Sequence, residues 1–591
     1  MKQFIKYVLA TITGIVILSL LLFFLSVISL ISMTSKSSVN IEKNSVLEIN
    51  LSGVLSERSE DNPLEFLTGS SATNSLSLEN ILKAIKKAKE EDKIKGIYIQ
   101  GGALSGATPA MLEEIREALV DFKTSKKFIL AYGDTYTEGS YYLASVADSV
   151  ILNPVGMVEW SGLASKTMYM KDFMDKIGVK VEVFKVGTYK SAVEPYLLSE
   201  MSDANREQIT VFSNEIWSQM KSAVSKSRKI SVDKLNSLAD SMLLFSEPQQ
   251  YLNEKIVDRL AYSDEVPTII GNMMDVDKDD YHTIDVNSLA SCVSSEPKGT
   301  SGNIIAVYYA YGTIVDEASS GFSTEHEIVS STVVDDLHSL ANDDDVKAVV
   351  FRVNSGGGSA YASEQIWHAI EQLKEKKPVV VSMGGLAASG GYYISSGANY
   401  IFAEPTTLTG SIGIFGMFPI AKELINDKLG LHFSTVKTNE MSDFGDFSRD
   451  MRDIEKSRLQ GYVNRGYELF TMRCADGRGI SQDSIKVIGE GRVWTGEHAL
   501  SLGLVDKLGN LDAAISKAKE LAKVDEYTPI SYPGESSFFD KLLKNASPDT
   551  YADKKVAEIM GEYYDTFATL KKLNPKGNIQ AEIPYKLQFN L

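Results

Sequence analysis

Apolar and polar positions follow the same order of elements in both halves of the chain. In the first half, strand-like apolar runs and an amphipathic helix occupy residues 44–57, 92–102, 111–123 and 128–134. In the second half, the same order occupies residues 303–317, 344–354, 363–375 and 378–385. Strands that alternate with helices at this spacing predict βαβ units and largely parallel sheets with covered faces.

One sequence element occurs in both halves, at residues 131–163 and 382–414, with numbers that differ by 251. This offset aligns glycines, a Tyr-Tyr pair and a proline. At a position flanked by small residues, the second copy has Ser389 and the first has Glu138. A duplication that keeps scaffold residues and changes one hydroxyl predicts an active site in the second copy only.

The chain of 591 residues is too long for one hydrophobic core, so we expect several domains. A stretch rich in Ser, Pro and Gly between the repeats has the composition of a linker. The predicted parts are an N-terminal anchor and spacer (1–40), a first repeat (41–285), a linker (286–302), a second repeat (303–534) and a C-terminal extension (535–591). The EIPYKLQFNL ending of that extension is predicted to be extended.

Residues 8–33 carry no charge and are long enough to cross a bilayer as a helix. Lys2 and Lys6 precede this segment, so the positive-inside rule places the N-terminus in the cytoplasm and the rest outside. No clear small-x-small cleavage site follows, which favours an uncleaved signal anchor over a cleaved signal peptide.

Composition excludes some classes of partner. A net charge of −18 leaves no basic stripe for a nucleic acid. The two cysteines, Cys292 and Cys474, are expected to stay unpaired. No Cys/His cluster has metal-ligand spacing, so we predict neither a metal nor another cofactor.

Ser389 lies in GGLAASGGYY, between a predicted strand and a predicted helix. Small neighbours leave its hydroxyl accessible, and the two following glycines allow another backbone to approach closely. A helix N-terminus also stabilises developing negative charge. Ser389 is therefore a candidate nucleophile, although an ordinary helix N-cap is an equally common role for serine.

A second candidate element is RVNSGGGSA, at residues 352–360. A glycine-rich turn presents the free N–H groups that an oxyanion hole requires. It lacks the Lys-Ser/Thr ending of a P-loop and the dinucleotide fingerprint, which disfavours phosphate binding. A plain tight turn remains the alternative.

A serine nucleophile requires a base. His368, the nearest histidine in sequence, lies on a helix predicted to be amphipathic. The other candidate is Lys190 in KVGTYKSAVEP (185–195). In sequence, this lysine is flanked by Tyr189 on one side and by small or apolar residues on the other. On its own this lysine is weak evidence, because most lysines are solvated surface residues.

Five segments together resemble the signal peptide peptidase A (protease IV) family in its long, tandem-duplicated, membrane-anchored form. They are GTYKSAVEP, RVNSGGGSA, AASGGYY, TGSIGI and GRVWTGEHALSLGLVDKLG. The resemblance extends from the anchor to about residue 530. It implies an α/β fold of two tandem Clp/crotonase-like spiral domains and a serine–lysine dyad endopeptidase.

The resemblance also implies roles for individual residues. Ser389 would be the nucleophile, Lys190 the general base, and Ser411 the hydroxyl that orients this lysine. Gly357 and Gly358 would supply oxyanion donors. The chain departs from the usual family pattern at Gly356, where most members have proline.

The duplication fits this chemistry. A lysine acts as a base only when neutral, and at an ordinary pKa of ~10.4 little of it is neutral near pH 7. A cleft between the repeats could strip water from the amine and favour its neutral form. We therefore expect Lys190 of the first repeat to reach Ser389 of the second, and activity to fall as the pH drops.

The resemblance further implies hydrolysis of remnant signal peptides and other unfolded segments on the periplasmic side of a bacterial inner membrane. It also implies a tetramer with an enclosed cavity. Three alternatives remain at this point: a crotonase-type acyl-CoA enzyme, a Ser-His-Asp hydrolase using His368, and a non-catalytic envelope scaffold on a peptidase fold.

Overall fold

The computed structural model describes residues 40–58, 75–293, 302–318, 326–534 and 580–582, together with positions 7, 14 and 18. Apart from two of those positions, the segment 8–33 that was predicted to span a membrane lies outside the described residues. Among the residues that are described, none forms a helix of the length and apolar character needed to cross a bilayer.

Strands and helices alternate along most of the described chain. The strands are β1 (Ser45–Asn50), β2 (Gly53–Ser56), β3 (Ser75–Ser77), β4 (Ile94–Gln100), β5 (Leu104–Ser105), β6 (Phe128–Tyr136), β7 (Ser149–Val158), β8 (Lys180–Lys185), β9 (Arg259–Leu260), β10 (His282–Asp285), β11 (Ile304–Tyr311), β12 (Thr313–Val315), β13 (Glu327–Val329), β14 (Val346–Ser355), β15 (Gly357–Ser359), β16 (Val379–Ala388), β17 (Tyr400–Ala403), β18 (Leu408–Gly410), β19 (Phe415–Ile420), β20 (Val493–Thr495), β21 (Lys507–Leu508), β22 (Thr528–Tyr532) and β23 (Gln580–Glu582). The α-helices are α1 (Leu78–Glu90), α2 (Pro109–Phe122), α3 (Glu138–Ala144), α4 (Lys171–Ile177), α5 (Glu194–Leu197), α6 (Asp203–Arg228), α7 (Val232–Asp240), α8 (Pro248–Asn253), α9 (Val266–Met274), α10 (Val286–Ser291), α11 (Ser330–Asn342), α12 (Ala360–Lys374), α13 (Gly390–Ser395), α14 (Asp453–Arg478), α15 (Gln482–Ile488), α16 (Gly496–Ser501) and α17 (Leu511–Ala522).

Each half contains one main sheet. In the first half the strand order is β10-β1-β4-β6-β7-β9, and every pairing is parallel. In the second half the order is β20-β18-β16-β14-β11-β22, and the β18–β20 pairing is antiparallel. Strand β17 also pairs with β16, and β21 pairs with β17. The predicted alternation of elements and the largely parallel sheets are therefore confirmed.

The helices begin where the local sequence favours capping. Thr108 accepts a hydrogen bond from Met111 N–H at the start of α2, and Pro109 occupies the first helical position. Ser359 accepts one from Ala362 N–H at the start of α12. Both helices bury apolar side chains in the cores of their own halves.

The two halves repeat the same packing. Tyr141 and Tyr392 are fully buried, and each hydroxyl donates to a backbone carbonyl at 2.9 Å. The long helices α6 and α14 both span 26 residues. Each ends in an arginine that pairs at 2.7 Å with an aspartate before a short strand: Arg228 with Asp258, and Arg478 with Asp506.

The halves are joined by a buried cluster of ion-paired side chains and by a shared sheet. Arg352 of β14 contacts the carboxylates of Glu57 and Glu114, and all three side chains are buried. The shared sheet has the order β13-β12-β15-β23-β19-β8, in which β8 of the first half runs antiparallel to β19 of the second. Because of this pairing, the residues that follow β8 lie against the second half.

The segment 286–302, predicted as a linker, begins with the helix α10. Val286, Leu289 and Ala290 of this helix are buried, and Val286 and Leu289 belong to the core of the first half. The described part of that segment is therefore packed rather than extended. The Cys292 thiol, just after the helix, donates to the Ser288 carbonyl at 3.4 Å, and Cys474 is buried in the second half.

Candidate active site

Lys190, Ser389 and Ser411 meet in the interface between the halves. Lys190 Nζ lies 2.7 Å from Ser389 Oγ, 3.0 Å from Ser411 Oγ and 3.2 Å from the Ser411 carbonyl oxygen. The three residues are between 0% and 1% exposed. The structure thus brings the candidate nucleophile and the candidate base into direct contact, although they are 199 positions apart.

Ser389 occupies a sharp turn between strand β16 and helix α13. Its backbone has φ 56° and ψ −115°, a conformation that costs a non-glycine residue of order 1–3 kcal/mol. The Ser389 N–H donates to the Gly410 carbonyl at 2.8 Å, which holds the turn. Ser389 occupies the N-cap position of α13, but its side chain makes no capping hydrogen bond to that helix.

Lys190 reaches the second half because the chain after β8 stays on the surface of that half. Val186 N–H donates to the Ile414 carbonyl at 3.2 Å, and Tyr189 N–H donates to the Glu490 carbonyl at 3.0 Å. The side chain of Gln208 in α6 donates to the Tyr189 carbonyl at 3.1 Å. These contacts fix the backbone on both sides of Lys190.

Glycines of the second half make room for the lysine. A methyl group added to Gly491 would lie 2.6 Å from Lys190 Cβ, and one added to Gly413 would lie 3.2 Å from Lys190 Cδ. Gly491 also has a φ of 76°, which favours glycine. The second half therefore forms a channel whose width fits the stem of this lysine.

The surroundings of the amine are partly apolar. Lys190 Nζ lies 5.9 Å from the centre of the Phe415 ring, and Ala192, Val193 and Phe415 form a small apolar cluster beside it. Burial removes water from an ammonium group and disfavours its charged form. The two serine hydroxyls and the Ser411 carbonyl oxygen together provide three hydrogen-bond partners for the amine.

The glycine-rich segment lies against the nucleophile turn. Gly357 and Gly358 have φ values of 105° and 154°, and Gly357 N–H donates to Ser355 Oγ at 3.1 Å. A methyl group added to Gly357 would lie 2.8 Å from the backbone nitrogen of Gly390. The glycine-rich turn therefore packs beside Gly390, whose N–H directly follows Ser389 and is a further candidate donor, whereas the Gly357 N–H is already bound to Ser355 Oγ.

The sequence prediction missed Gly390. The signal was available, because the residue after a nucleophile at a helix N-terminus points its N–H toward the reacting group. The histidine alternative gains no support, since His368 is exposed on helix α12.

The equivalent position in the first half holds Glu138 at the start of α3. Its side chain is 1% exposed, and Glu138 Oε1 accepts a hydrogen bond from Gly162 N–H at 3.0 Å. Burial raises the pKa of Glu138 from 4.5 to about 7. A carboxyl group thus fills the place that the serine occupies in the other half.

Glu138→Gln is expected to stabilise the protein in a pH-dependent way. The folded state keeps the Glu138 proton up to a pH of about 7, whereas the unfolded state loses it near pH 4.5. Wild-type stability therefore falls as the pH rises through this window. Glutamine removes that loss, so the free energy of unfolding should increase by about 3 kcal/mol at pH 8 and by less than about 1 kcal/mol at pH 5.

Denaturant unfolding at the two pH values measures this difference. The exposed Glu200 provides a matched control, because Glu200→Gln should change stability little at either pH. An equal effect of Glu138→Gln at pH 5 and pH 8 would contradict the assigned protonation.

Comparison with known proteins agrees with this architecture. The family model described as Peptidase family S49 matches residues 121–277 and 371–525, once in each half. A second model, Clp protease, matches residues 308–407. The matches confirm the tandem duplication and the resemblance inferred from the five motifs.

Individual relatives match over most of their length. The chain is 34% identical to Protease 4 of Haemophilus influenzae, covering 94% of this chain and 92% of that protein. It is 37% identical to Protease 4 of Salmonella typhi, covering 79% and 75%. It is 29% identical to the chloroplastic serine protease SPPA of Arabidopsis thaliana, covering 82% and 70%.

Proposed function

Because the chain belongs to peptidase family S49, we propose that it is an endopeptidase in which Lys190 activates Ser389. Membership makes the chain a serine peptidase with a Clp protease-like fold. Family membership favours this assignment over the two alternatives of a non-catalytic scaffold and an acyl-CoA enzyme. The observation that carries the proposed dyad is the 2.7 Å contact between Lys190 Nζ and Ser389 Oγ in a buried interface.

The first chemical step is acylation. Neutral Lys190 accepts the proton of the Ser389 hydroxyl while Ser389 Oγ attacks the carbonyl carbon of the scissile peptide bond. The resulting ammonium then donates a proton to the leaving amine, and the C–N bond breaks. The hydrogen bond between Ser411 Oγ and Lys190 Nζ keeps the amine oriented toward Ser389 Oγ during both proton transfers.

The second step is hydrolysis of the acyl-enzyme. Lys190, neutral again, takes a proton from a water molecule that attacks the ester carbonyl. The Ser389 oxygen leaves and recovers its proton from the lysine. The carboxyl product then departs, and the enzyme returns to its starting state.

Negative charge on the carbonyl oxygen requires donors in both steps. The candidate donors beside Ser389 are the N–H groups of Gly358 and Gly390, because the Gly357 N–H already donates to Ser355 Oγ. Donors fixed in a water-poor site stabilise a tetrahedral intermediate because they need no reorganisation. Donors of this kind typically contribute about 3–4 kcal/mol each.

The two halves contribute different groups to this site. The first half supplies the lysine and has Glu138 where a serine would be needed. The second half supplies both serines and the glycines. Neither half alone contains the complete dyad, which explains why the duplication is retained as one chain.

The substrate proposal rests on the family and on the chain's N-terminus. The relatives named above are proteases, and residues 8–33 carry no charge. We place the enzyme in the bacterial inner membrane through this segment, with the catalytic region in the periplasm. Its substrates are then cleaved signal peptides and other unfolded peptides, and its assembly is a homotetramer.

A peptide-cleavage assay with the full chain in detergent tests this function. Synthetic signal peptides should be hydrolysed, while a folded globular protein of similar mass should remain intact. Because the base must be neutral, kcat/KM should fall steadily as the pH is lowered below neutrality. Cleavage that is fastest at acidic pH would contradict a lysine base.

A further inference from the structure

The shared sheet contains a strand from the far C-terminus of the chain. Strand β23 lies between β15 and β19 and runs antiparallel to both. Gly358 faces Ala581, and Phe415 faces Gln580. Without β23 the sheet would divide into β13-β12-β15 on one side and β19-β8 on the other. The gap between them is one strand wide.

This gap borders the catalytic residues. Its first edge, β15, carries Gly357 and Gly358, and its second edge begins at Phe415, whose ring lies beside Lys190 Nζ. Ala581 is 0% exposed. The strand therefore passes through the interior of the site.

The Ala581 carbonyl oxygen packs against Gly357 and Gly390, which flank the nucleophile turn. A methyl group added to Gly357 would be 1.9 Å from this oxygen, and one added to Gly390 would be 3.0 Å from it. Approach this close requires residues without a side chain. The glycines that a substrate carbonyl would need are thus already in contact with a carbonyl of the chain itself.

We propose that residues 580–582 occupy the place of the substrate and act as a built-in competitive inhibitor. An extended peptide would have to displace β23 and insert between the same two edges, gaining main-chain hydrogen bonds on both sides. This inference rests on the proposed function, since it names the regulation of that same site. It also assigns a role to the C-terminal extension, which the sequence alone did not.

A tethered competitor affects binding rather than chemistry. A segment joined to the same chain acts at an effective concentration that is typically millimolar. If the isolated strand bound with a Kd of about 0.1 mM, the apparent KM would be raised about tenfold. The value of kcat would not change, because a bound substrate has already displaced the strand.

Two truncated chains test this proposal. The first ends at residue 579 and lacks β23, and the matched control ends at residue 582 and keeps it. Peptide hydrolysis by the first should show a KM about tenfold lower with kcat unchanged, whereas the control should behave as the full chain. In case truncation impairs folding, Ala581→Pro in the full chain removes a strand N–H and should lower KM in the same direction.

A binding measurement separates this proposal from the peptidase assignment. Fluorescence polarisation with a labelled, extended apolar peptide is measured on Ser389→Ala chains with and without β23. Tighter binding without β23 supports the inference even if none of the chains cleaves peptides, a result that would defeat the peptidase proposal alone. Equal KM in the full chain and both truncated chains, together with equal peptide affinity in the two Ser389→Ala chains, would overturn the inference and leave the peptidase proposal intact.

Discussion

Replacing Lys190 by methionine should reduce kcat/KM for peptide hydrolysis by about 10³-fold, within the range that a general base contributes. Methionine fills the channel beside Gly413 and Gly491 but cannot accept the Ser389 proton. The loss should appear in kcat, since the amine acts on the reacting hydroxyl and not on peptide binding. Steady-state kinetics at saturating and limiting peptide separate the two parameters.

Lys180 provides the matched control. It lies on β8, the strand that precedes Lys190, and its side chain is exposed and paired with Glu423. Lys180→Met should retain the activity of the wild type. Retained activity in Lys190→Met, in a protein that unfolds at the wild-type temperature, would require a different base.

Replacing Ser389 by alanine should remove hydrolysis almost completely, by at least about 10⁴-fold in kcat, because no acyl-enzyme can form. Peptide binding should persist, since the backbone edges of β15 and β19 are unchanged. A discontinuous cleavage assay with mass detection reaches the sensitivity needed.

Ser395 is a suitable comparison for this variant. It lies in α13, the helix that directly follows Ser389, it is buried, and its hydroxyl donates to the Gly391 carbonyl at 2.7 Å. Ser395→Ala should therefore leave catalysis close to wild type. Loss of activity in both variants to the same extent would indicate damage to the helix rather than loss of a nucleophile.

Much of the architecture could be predicted from local sequence. The alternation of apolar strands with helices gave the parallel sheets because each element carries its own periodicity. Glu138 and Ser389 were recognised as equivalent positions because the scaffold residues around them are duplicated. The encounter of Lys190 with Ser389 required the family resemblance, since nothing near Lys190 in sequence indicates which half it contacts.

Other features depend on contacts between distant segments. The position of β23 is fixed by edges that belong to β15 and β19, more than 160 residues earlier in the chain. Three residues carry no periodicity that could reveal such a pairing. The burial of α10 similarly depends on the core of the first half, and a stretch of small residues alone resembled a linker.

The most direct test of the central claim is the rate at which a fluorophosphonate acylates Ser389. This reaction reports the activation of the hydroxyl without any contribution from peptide release. Mass spectrometry of wild-type and Lys190→Met chains should locate the adduct on Ser389, at a rate at least about 100-fold lower in the variant. Equal labelling rates in two equally stable proteins would show that the lysine of the first half does not activate the serine of the second.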